Sequence, residues 1–395
     1  MNDFFSKIIA PTTIHDFFNA YHEKDVLHVK RNDTSYYNQI LTSEEISDFL
    51  DRQDVFYPSL RIVKEGKEIP NSEYVRKGVP IGHHKKDGII NTDKAFALFN
   101  AGSTLVIQAG QRYFDNLSKC CLALSQHFNS PVQANLYITP NRSVGFNPHW
   151  DTHDVFVLQI AGTKSWKLYG FEKELPTKNQ KFVSKGYSKE PLQNIQLTPG
   201  DFLYVPRGYV HDAMADDGIS AHITIGVLSY TWARLFSEVF PQLEEIRDFR
   251  EAVPFWNENL KELIGEKAKL LQKTITELDF NKGITRLNNN YNQVQPQSVN
   301  RYFQSILDVK KITPTTQLSI NEGVVIHVTE SDGGVQLKLF DKVITIPFEW
   351  KLLVDSIITQ KKFTPADLPD GDTSEGKQTI LSKLIKEGVL HIENL

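Results

Sequence analysis

Short runs of alternating apolar and polar residues fill the middle of the chain, from about residue 132 to residue 228. Residues 134–139 and 221–227 alternate, whereas residues 155–160 are almost all apolar. A period of two is typical of a strand buried on one face, and a continuous apolar run is typical of a central strand. A Pro-Gly-Asp turn at residues 199–201 precedes a further short strand. Many short strands at this spacing predict a small barrel or a jelly roll.

Helical patterns precede this strand-rich stretch. Apolar residues recur three and four positions apart in three segments, which are residues 13–22, 41–50 and 112–128. The second of these begins with a capping-type sequence, and all three are predicted to be helices. Compact apolar segments between them predict strands at residues 26–29, 59–63 and 105–107.

The pattern changes at Tyr230. Residues 231–280 repeat apolar side chains at helical spacing, and Val253-Pro254 predicts a break because proline ends or kinks a helix. The polar residues 288–297 predict a connector. After it, strands are predicted at 324–328, 335–339 and 342–346, helices at 350–358 and 378–387, and a closing strand at 389–392. Two helices followed by a short hairpin are the outline of a winged-helix module.

These patterns predict an α+β chain of three domains. A length of 395 residues fits two to three domains. We expect a jelly-roll domain at residues 1–230, a helical region at 231–310 and a winged-helix-like domain at 311–395.

Composition narrows the class of protein. The formal net charge of -4 and the pI near 6.3 argue against bulk nucleic-acid binding, which usually needs a basic face. Residues 351–395 hold six Lys/Arg and seven Asp/Glu, a net charge of -1, so the predicted winged helix lacks a basic groove for DNA. The adjacent Cys120 and Cys121 form neither a disulfide framework nor a zinc motif, and we expect two reduced thiols on a helix, one of them buried. The N-terminus has no signal-peptide pattern, and no stretch reaches the roughly 18 apolar residues of a membrane helix, so we expect a cytoplasmic protein without a membrane partner.

Two short motifs carry candidate metal ligands. Pro148-His149-Trp150-Asp151 is followed about sixty residues later by Pro206-Arg207-Gly208-Tyr209-Val210-His211. Residues i and i+2 of a strand share a side, so His149 and Asp151 are expected to face one metal, with His211 arriving from a distant strand. Two histidines and one carboxylate form the facial ligand set of non-haem iron(II) oxygenases, which leaves three coordination positions free.

Lys164 is a candidate anion-binding residue. An α-keto acid bound to two of the free positions needs a fixed cation for its far carboxylate, and dioxygen takes the third position. Lys164 follows the Ala161-Gly162-Thr163 turn, fifteen residues after His149, which predicts a place on the next strand of a hairpin, close to the metal. A solvated turn lysine is the alternative.

Single members of this set are weak signals. A lone His-x-Asp pair is usually a surface feature, and His211 alone fits a satisfied loop histidine. Ordinary cupins carry His-x-His followed by Glu, and this chain has neither. His153 shares the predicted strand face of His149 and Asp151. It fits a fourth ligand or a residue supporting a ligand, and it fits better a residue of the pocket wall.

The combined motifs resemble the JmjC/cupin-type ribosomal oxygenase family. The similarity lies in residues 135–140, in residues 145–169 from Gly145-Phe146 to Trp166-Lys167-Leu168-Tyr169, and in residues 199–211. It extends to residues 60–66 and 101–106 and covers roughly residues 13–230. Members of this family are 2-oxoglutarate-dependent iron(II) hydroxylases with a double-stranded β-helix.

The resemblance implies a role for each matched residue. His149, Asp151 and His211 would bind Fe(II), and Lys164 would hold the tail of 2-oxoglutarate. Asn135 and Tyr137 would line the substrate or cosubstrate pocket, and Thr224 is a further candidate contact for 2-oxoglutarate. The middle helices would form a homodimer, and the winged helix would not read DNA.

The function expected from these residues is hydroxylation of a side chain of a protein or peptide. 2-Oxoglutarate would be oxidatively decarboxylated with O2 at the iron. A ribosomal protein is the expected substrate. Two alternatives stay open, which are a tailoring hydroxylase for a ribosomally made natural-product peptide and a non-catalytic cupin/winged-helix regulator.

Overall fold

The structure is a computed structural model that describes residues 4–184, 186–294, 301–321, 324, 326–339, 342–370 and 374–394. The chain divides into two compact units, Met1–Ser229 and Tyr230–Leu395. The division into 231–310 and 311–395 within the second part stays a prediction.

The first unit is rich in strands. Its strands are β1 (Leu27–Val29), β2 (Leu60–Lys64), β3 (Lys67–Glu68), β4 (Val75–Arg76), β5 (Val79–Ile81), β6 (His84–Lys86), β7 (Ile89–Ile90), β8 (Thr104–Ile107), β9 (Val132–Thr139), β10 (Val144–His149), β11 (Asp154–Ala161), β12 (Lys164–Phe171), β13 (Gln193–Leu197), β14 (Phe202–Val205), β15 (Tyr209–Ala215) and β16 (Ser220–Val227). Its helices are α1 (Phe4–Ile9), α2 (Ile14–Asp16), α3 (Ser43–Leu50), α4 (Thr92–Asn100) and α5 (Asp115–Phe128).

Two antiparallel sheets form the centre of this unit. The larger sheet has the order β1-β14-β11-β16-β9-β8-β2-β3, and the smaller one has the order β10-β15-β12-β13. Consecutive strands β9 to β12 alternate between the two sheets, as do β13 to β16. This winding is a jelly roll, as the strand pattern predicts, of the double-stranded β-helix type that the family resemblance implies.

Apolar side chains from the two sheets and the N-terminal helices build the core. β11 is the central strand predicted from its apolar run, and Phe156, Val157 and Leu158 are fully buried in it. One face of the large sheet packs against helices, with Phe156 near Phe17 of the turn after α2. Burial of a side chain of this size contributes about 1.5–3 kcal/mol to the free energy of folding. The packing of the large sheet against the helices is stabilised by several such side chains.

Three local predictions in this unit need correction. The predicted helix 112–128 begins only at Asp115, after a 3-10 turn at Gly110–Arg112. Residues 13–22 form the three-residue α2 and then a π-helical turn at Phe17–Tyr21, so the regular helix is shorter than expected. Cys120 and Cys121 are free thiols on α5, and both are buried rather than one.

The second unit combines helices with two small sheets. Its helices are α6 (Trp232–Val239), α7 (Arg247–Arg250), α8 (Leu260–Thr274), α9 (Phe280–Val294), α10 (Tyr302–Asp308), α11 (Lys351–Gln360) and α12 (Ser374–Lys386). Its strands are β17 (Gln317–Ile320), β18 (His327–Ser331), β19 (Gly334–Lys338), β20 (Val343–Ile346), β21 (Lys362–Phe363) and β22 (Leu390–Asn394). The sheets have the orders β21-β17-β22 and β18-β19-β20.

Several predictions in the second unit are wrong in detail. The chain is non-helical at Val253-Pro254, as predicted, but residues 288–293 continue α9 instead of forming a connector. Residues 295–297 of that connector and residue 325 of the predicted strand 324–328 lie outside the described residues. The closing strand β22 pairs with β17 rather than with a neighbour in a terminal hairpin. The described residues after α12 contain β22 and no hairpin, and the winged-helix-like domain stays a prediction.

No helix within the described parts of the chain combines the length and the apolar character that crossing a membrane requires.

Candidate active site

A cavity of about 360 Å³ lies between the two sheets of the first unit. His149, Asp151 and His211 meet on its wall, where their ligand atoms all lie within 4.8 Å of one another. His149 ends β10, and His211 is its direct partner on the neighbouring strand β15. The structure therefore brings together the three residues that the two motifs predicted, although their role as metal ligands remains a prediction.

Backbone hydrogen bonds set the direction of both imidazoles. Nδ1 of His149 lies 2.9 Å from the carbonyl oxygen of Asn147, and Nδ1 of His211 lies 3.0 Å from that of Tyr209. Each Nδ1–H donates to a carbonyl, so each Nε2 keeps its lone pair. Nε2 of His211 lies 3.7 Å from Oδ2 of Asp151. Fixing the second ring nitrogen in this way is typical of histidines that bind metals.

Asp151 lies beyond the end of its strand, which corrects the argument from strand parity. β10 stops at His149, and residues 150–153 form the loop to β11. Trp150 is buried in this loop, and the Asp151 carboxylate reaches the histidines from there, with Oδ2 at 3.7 Å from Nε2 of His211. The two residues face one point, but the cause is a loop and not an alternating strand.

Electrostatics favours the protonation states that metal ligands need. Burial lowers the pKa of His211 to about 4, with a further contribution from His149. Burial alone would raise the pKa of Asp151, but the neighbouring His153, His149 and His211 outweigh it and hold the pKa below its usual value. At neutral pH the group thus presents a neutral imidazole at His211 and an ionised carboxylate.

Lys164 is buried in the same cavity, with 3% of its surface exposed. Its Nζ donates to Oγ1 of Thr139 at 3.2 Å, and Thr104 donates to the same oxygen at 3.2 Å. Burial lowers the pKa of Lys164 to about 7. Among the described residues, no carboxylate is paired with this ammonium. The Lys164 ammonium is therefore available to bind an anion in the cavity.

The route to Lys164 differs from the predicted hairpin. β11 and β12 do not pair, because the turn at Gly162 carries the chain from the large sheet into the small one. Gly162 adopts a φ of +61°, and a Cβ there would lie 1.9 Å from the carbonyl oxygen of Ile219. Lys164 therefore reaches the cavity from the opposite layer to β11.

The predicted pocket residues face each other across two strands of the large sheet. In the register of β9 and β16, Asn135 pairs with Thr224 and Tyr137 pairs with His222. All four line the cavity. Oδ1 of Asn135 accepts from the backbone N–H of Ala109 at 3.0 Å, which holds the amide in place.

Two functional candidates were missed from the sequence, His222 and Trp166. Both line the cavity and are at most 5% exposed, yet Nδ1 of His222 and Nε1 of Trp166 have no hydrogen-bond partner among the described residues. The His222 ring stacks on Tyr137 at 5.1 Å between centroids. Burial and the neighbouring Lys164 lower the pKa of His222, so it stays neutral. The available signal was parity, since His222 lies two residues before Thr224 on a predicted strand.

His153 lies in the cavity wall, as preferred from the sequence. It lies outside the group of ligand atoms formed by His149, Asp151 and His211. Its ring packs against Gly226, where a Cβ would come within 2.6 Å of the ring atom Cδ2.

The charges of the cavity are uneven. Its lining includes the cations Arg61 and Lys164, and Asp151 is the carboxylate among the described lining residues. Nη1 of Arg61 donates to Glu68 at 2.9 Å, and Nε donates to Gln108 at 3.0 Å. The arrangement fits a small anion and a neutral polar group better than a second cation.

Comparison with known proteins agrees with this architecture. Residues 108–235 match the family model of the JmjC domain. NO66 of Dictyostelium discoideum, named a bifunctional lysine-specific demethylase and histidyl-hydroxylase, is 30% identical over 258 residues, 62% of this chain and 48% of that protein. Human ribosomal oxygenase 1 is 28% identical over 265 residues, 63% of this chain and 39% of that protein. The chain thus spans less than half the length of these two relatives.

Solved structures of YcfD from Escherichia coli share the fold. One is 15% identical, with a TM-score of 0.54 and coverage of 97% of this chain and 99% of that chain. Another, described as the ribosomal oxygenase YcfD in complex with cobalt and 2-oxoglutarate, is 14% identical with a TM-score of 0.51. At these identities the likeness concerns the fold alone.

The fold and the domain match define a protein with a JmjC-type double-stranded β-helix. Within that class, the resemblance to the ribosomal oxygenases expected from the motifs is confirmed.

Proposed function

We propose that the chain is an Fe(II)- and 2-oxoglutarate-dependent oxygenase that hydroxylates a side chain of a protein. One observation carries the proposal. His149, Asp151 and His211 converge within 4.8 Å on the wall of a cavity that also holds the buried Lys164. A facial ligand set beside a buried cation is the arrangement that an α-keto acid cosubstrate needs.

The residues present fit an iron ion. Two imidazoles with Nε2 available and one ionised carboxylate match the donor set of non-haem Fe(II) and leave coordination positions for ligands. The fixed Nδ1 contacts of His149 and His211 orient both rings before metal binds. When bound, iron with 2-oxoglutarate supplies oxidative decarboxylation coupled to activation of O2.

The cavity also fits 2-oxoglutarate. Lys164 offers a charge-assisted hydrogen bond to a carboxylate, and Thr139 holds its Nζ. The buried Nε1 of Trp166 and Nδ1 of His222 have no partner in the described part of the protein, and leaving such groups unpaired costs about 1–3 kcal/mol each. A small polar cosubstrate in this cavity relieves that cost. Thr224 and Asn135 line the same space and are proposed as further contacts.

We propose a ribosomal protein as the substrate. Support comes from the names of the similar proteins, ribosomal oxygenase 1 and the histidyl-hydroxylase NO66. Phe146 and Tyr137 lie in a T-shaped contact 5.8 Å apart and provide an apolar wall, while Arg61 adds a positive group and His153 an imidazole. These surroundings favour a neutral side chain over an arginine or lysine.

Mass spectrometry tests the proposal. Ribosomal proteins from the host, with and without the gene, are compared for a gain of one oxygen atom, and the purified protein is assayed for succinate formation with Fe(II), 2-oxoglutarate and each candidate protein. Oxygen gain on one ribosomal protein, lost in His149→Ala, supports the proposal. Turnover only with a precursor peptide points to a tailoring hydroxylase. DNA binding without 2-oxoglutarate consumption points to a regulator and overturns the enzyme assignment.

We further propose that the protein acts in the cytoplasm and that residues 311–395 form a winged-helix-like domain that does not bind DNA.

We also propose that residues 231–310 form a homodimer interface. Phe255 and Trp256 are each 81% exposed and Trp232 is 75% exposed, which is unusual for aromatic residues of a monomer. Light scattering of the full chain and of a Phe255→Ser/Trp256→Ser variant tests the dimer. We expect a dimer mass for the wild type and a lower mass for the variant, and a monomer mass for the wild type at all concentrations contradicts the dimer.

A further inference from the structure

Asp154 begins β11, three residues after Asp151, and lies at the edge of the candidate metal site. The side chain is fully buried. Burial raises its pKa against the opposing contacts of His22 and Tyr204. An ionisable group without exposure is costly unless its oxygens are satisfied, so its partners show what it stabilises.

The carboxylate bridges three separate segments. Oδ1 accepts from the hydroxyl of Tyr204, at 2.8 Å, and from the backbone N–H of Arg207, at 3.3 Å. Oδ2 accepts from the hydroxyl of Ser229 at 3.4 Å. Tyr204 lies in β14, and Arg207 belongs to the turn that leads into β15 and His211. Asp154 thereby connects the start of β11 to the segment that carries the second histidine.

Further contacts join the same two segments. The backbone N–H of Gly208 donates to the carbonyl oxygen of Asp151 at 3.0 Å. The Arg207 side chain is buried, and its Nε donates to Oε1 of Glu23 at 2.9 Å. The Tyr204 hydroxyl also accepts from the backbone N–H of Glu23 at 3.0 Å. The loop of Asp151 and the turn before His211 are therefore linked through backbone and side chains alike.

This cluster is not a second metal site. Ligand atoms of His22, Glu23 and Asp154 do lie within 4.8 Å of one another. The guanidinium of Arg207, however, is already paired with the Glu23 carboxylate, and both Asp154 oxygens have protein donors. Arg207 and three hydrogen-bond donors hold the Glu23 and Asp154 carboxylates without an ion. Nε2 of His22 lies 3.9 Å from Oδ2 of Asp154 and has no hydrogen-bond partner among the described residues.

We propose that Asp154 is a positioning residue, which sets the separation of Asp151 and His211 by tying the loop of residues 150–153 to the turn of residues 206–208. This inference rests on the proposed function, because it takes Asp151 and His211 as metal ligands. Asp154 is not among the residues that line the cavity, and it acts through the two segments it joins. Outer partners of this kind typically change metal affinity by about 10–100-fold when removed.

Cobalt(II) binding to the full-length protein tests the inference without catalysis. Tyr204→Phe keeps the ring and removes one of the two donors to Oδ1, leaving the backbone N–H of Arg207. Asp154→Asn keeps an oxygen acceptor for Tyr204 and Arg207. We expect Tyr204→Phe to bind cobalt(II) about tenfold more weakly than wild type, with an altered visible spectrum of the bound ion, and Asp154→Asn to bind more strongly than Asp154→Ala. Tyr74→Phe is the matched control, because Tyr74 is equally buried and lies outside the cluster.

Melting temperatures separate a local effect from unfolding. Tyr204→Phe and Tyr74→Phe remove the same atoms, so a loss of cobalt affinity confined to the first supports the positioning role. Wild-type affinity and spectrum in both Tyr204→Phe and Asp154→Ala would overturn it. If wild-type protein itself binds no cobalt(II), the proposed function fails instead, and the two results are distinguishable.

Discussion

Gly226 lies directly against the ring of His153. A Cβ at position 226 would come within 2.6 Å of Cδ2 and 2.8 Å of Nε2 of that ring. Both residues line the cavity. Gly226 lies on β16 of the large sheet, and His153 lies in the loop of residues 150–153. The imidazole of His153 thus occupies the space that a side chain at position 226 would fill.

Gly226→Ala is expected to displace the His153 ring into the cavity. The KM for the polypeptide substrate should rise several-fold, since overpacking of this kind typically costs about 1–3 kcal/mol, while cobalt(II) affinity changes less. The double variant Gly226→Ala/His153→Ala removes the ring and should restore much of the loss in KM. An unchanged KM in Gly226→Ala would show that the pair does not shape the substrate pocket.

Removal of a metal ligand should abolish metal-dependent chemistry. We expect His149→Ala and Asp151→Ala to lose more than the roughly 10–100-fold in metal affinity that loss of an outer partner costs, and to lose 2-oxoglutarate turnover. Calorimetric titration with cobalt(II) and a succinate assay measure the two effects. His84→Ala, an exposed histidine of β6, is the control. Full activity of either ligand variant would remove the site assignment.

The affinity for 2-oxoglutarate should depend on pH through Lys164. Its pKa is about 7 in the free cavity, and pairing with a carboxylate raises it, so binding above pH 7 takes up a proton. Affinity should be flat below pH 7 and weaken about tenfold per pH unit above it. Titration at saturating cobalt(II) measures this slope. Lys164→Arg stays charged throughout and should show no such slope. A pH-independent wild type would mean that Lys164 is not the anion-binding cation.

Gly162→Ala should perturb both stability and cosubstrate binding. A side chain at its φ of +61° is strained, and its Cβ would meet the backbone at Ile219. We expect the free energy of unfolding to fall by at least roughly 1–3 kcal/mol, and 2-oxoglutarate to bind more weakly because Lys164 follows the turn. Gly78→Ala is the matched control, with a φ of +65° and no atom within 4 Å of its Cβ. Equal stability losses in the two variants would show that the Ile219 contact is unimportant.

The sequence predicted which residues meet in the candidate site better than it predicted the backbone path that brings them together. The two motifs predict that His149, Asp151 and His211 meet at one point, and the structure brings them together; their role as metal ligands stays a prediction. The path itself was not predictable, since the end of β10 at His149 depends on how Trp150 packs. The change of sheet at Gly162 likewise depends on a non-local contact with Ile219.

The helical second unit shows the opposite kind of error. Residues 288–293 are polar and predicted a connector, yet they continue α9. A tertiary contact supports the helix there, since Nδ2 of Asn290 donates to Oε1 of Glu238 on α6 at 3.4 Å. His222 was missed for a similar reason, because a buried histidine on an apolar strand looks like core until its partner Tyr137 is known.

The pairing of His149 with His211 has a mechanical consequence. β10 is an edge strand, held on one side by β15 through a register with two irregular steps. A metal ion bound by both histidines would act as a crosslink between these strands. Amide hydrogen exchange in residues 144–149 should therefore slow when cobalt(II) is added, far more than exchange in the central strand β11, and the melting temperature should rise with metal concentration. The bound metal ion would then stabilise the pairing of the edge strand β10 with β15 in the small sheet.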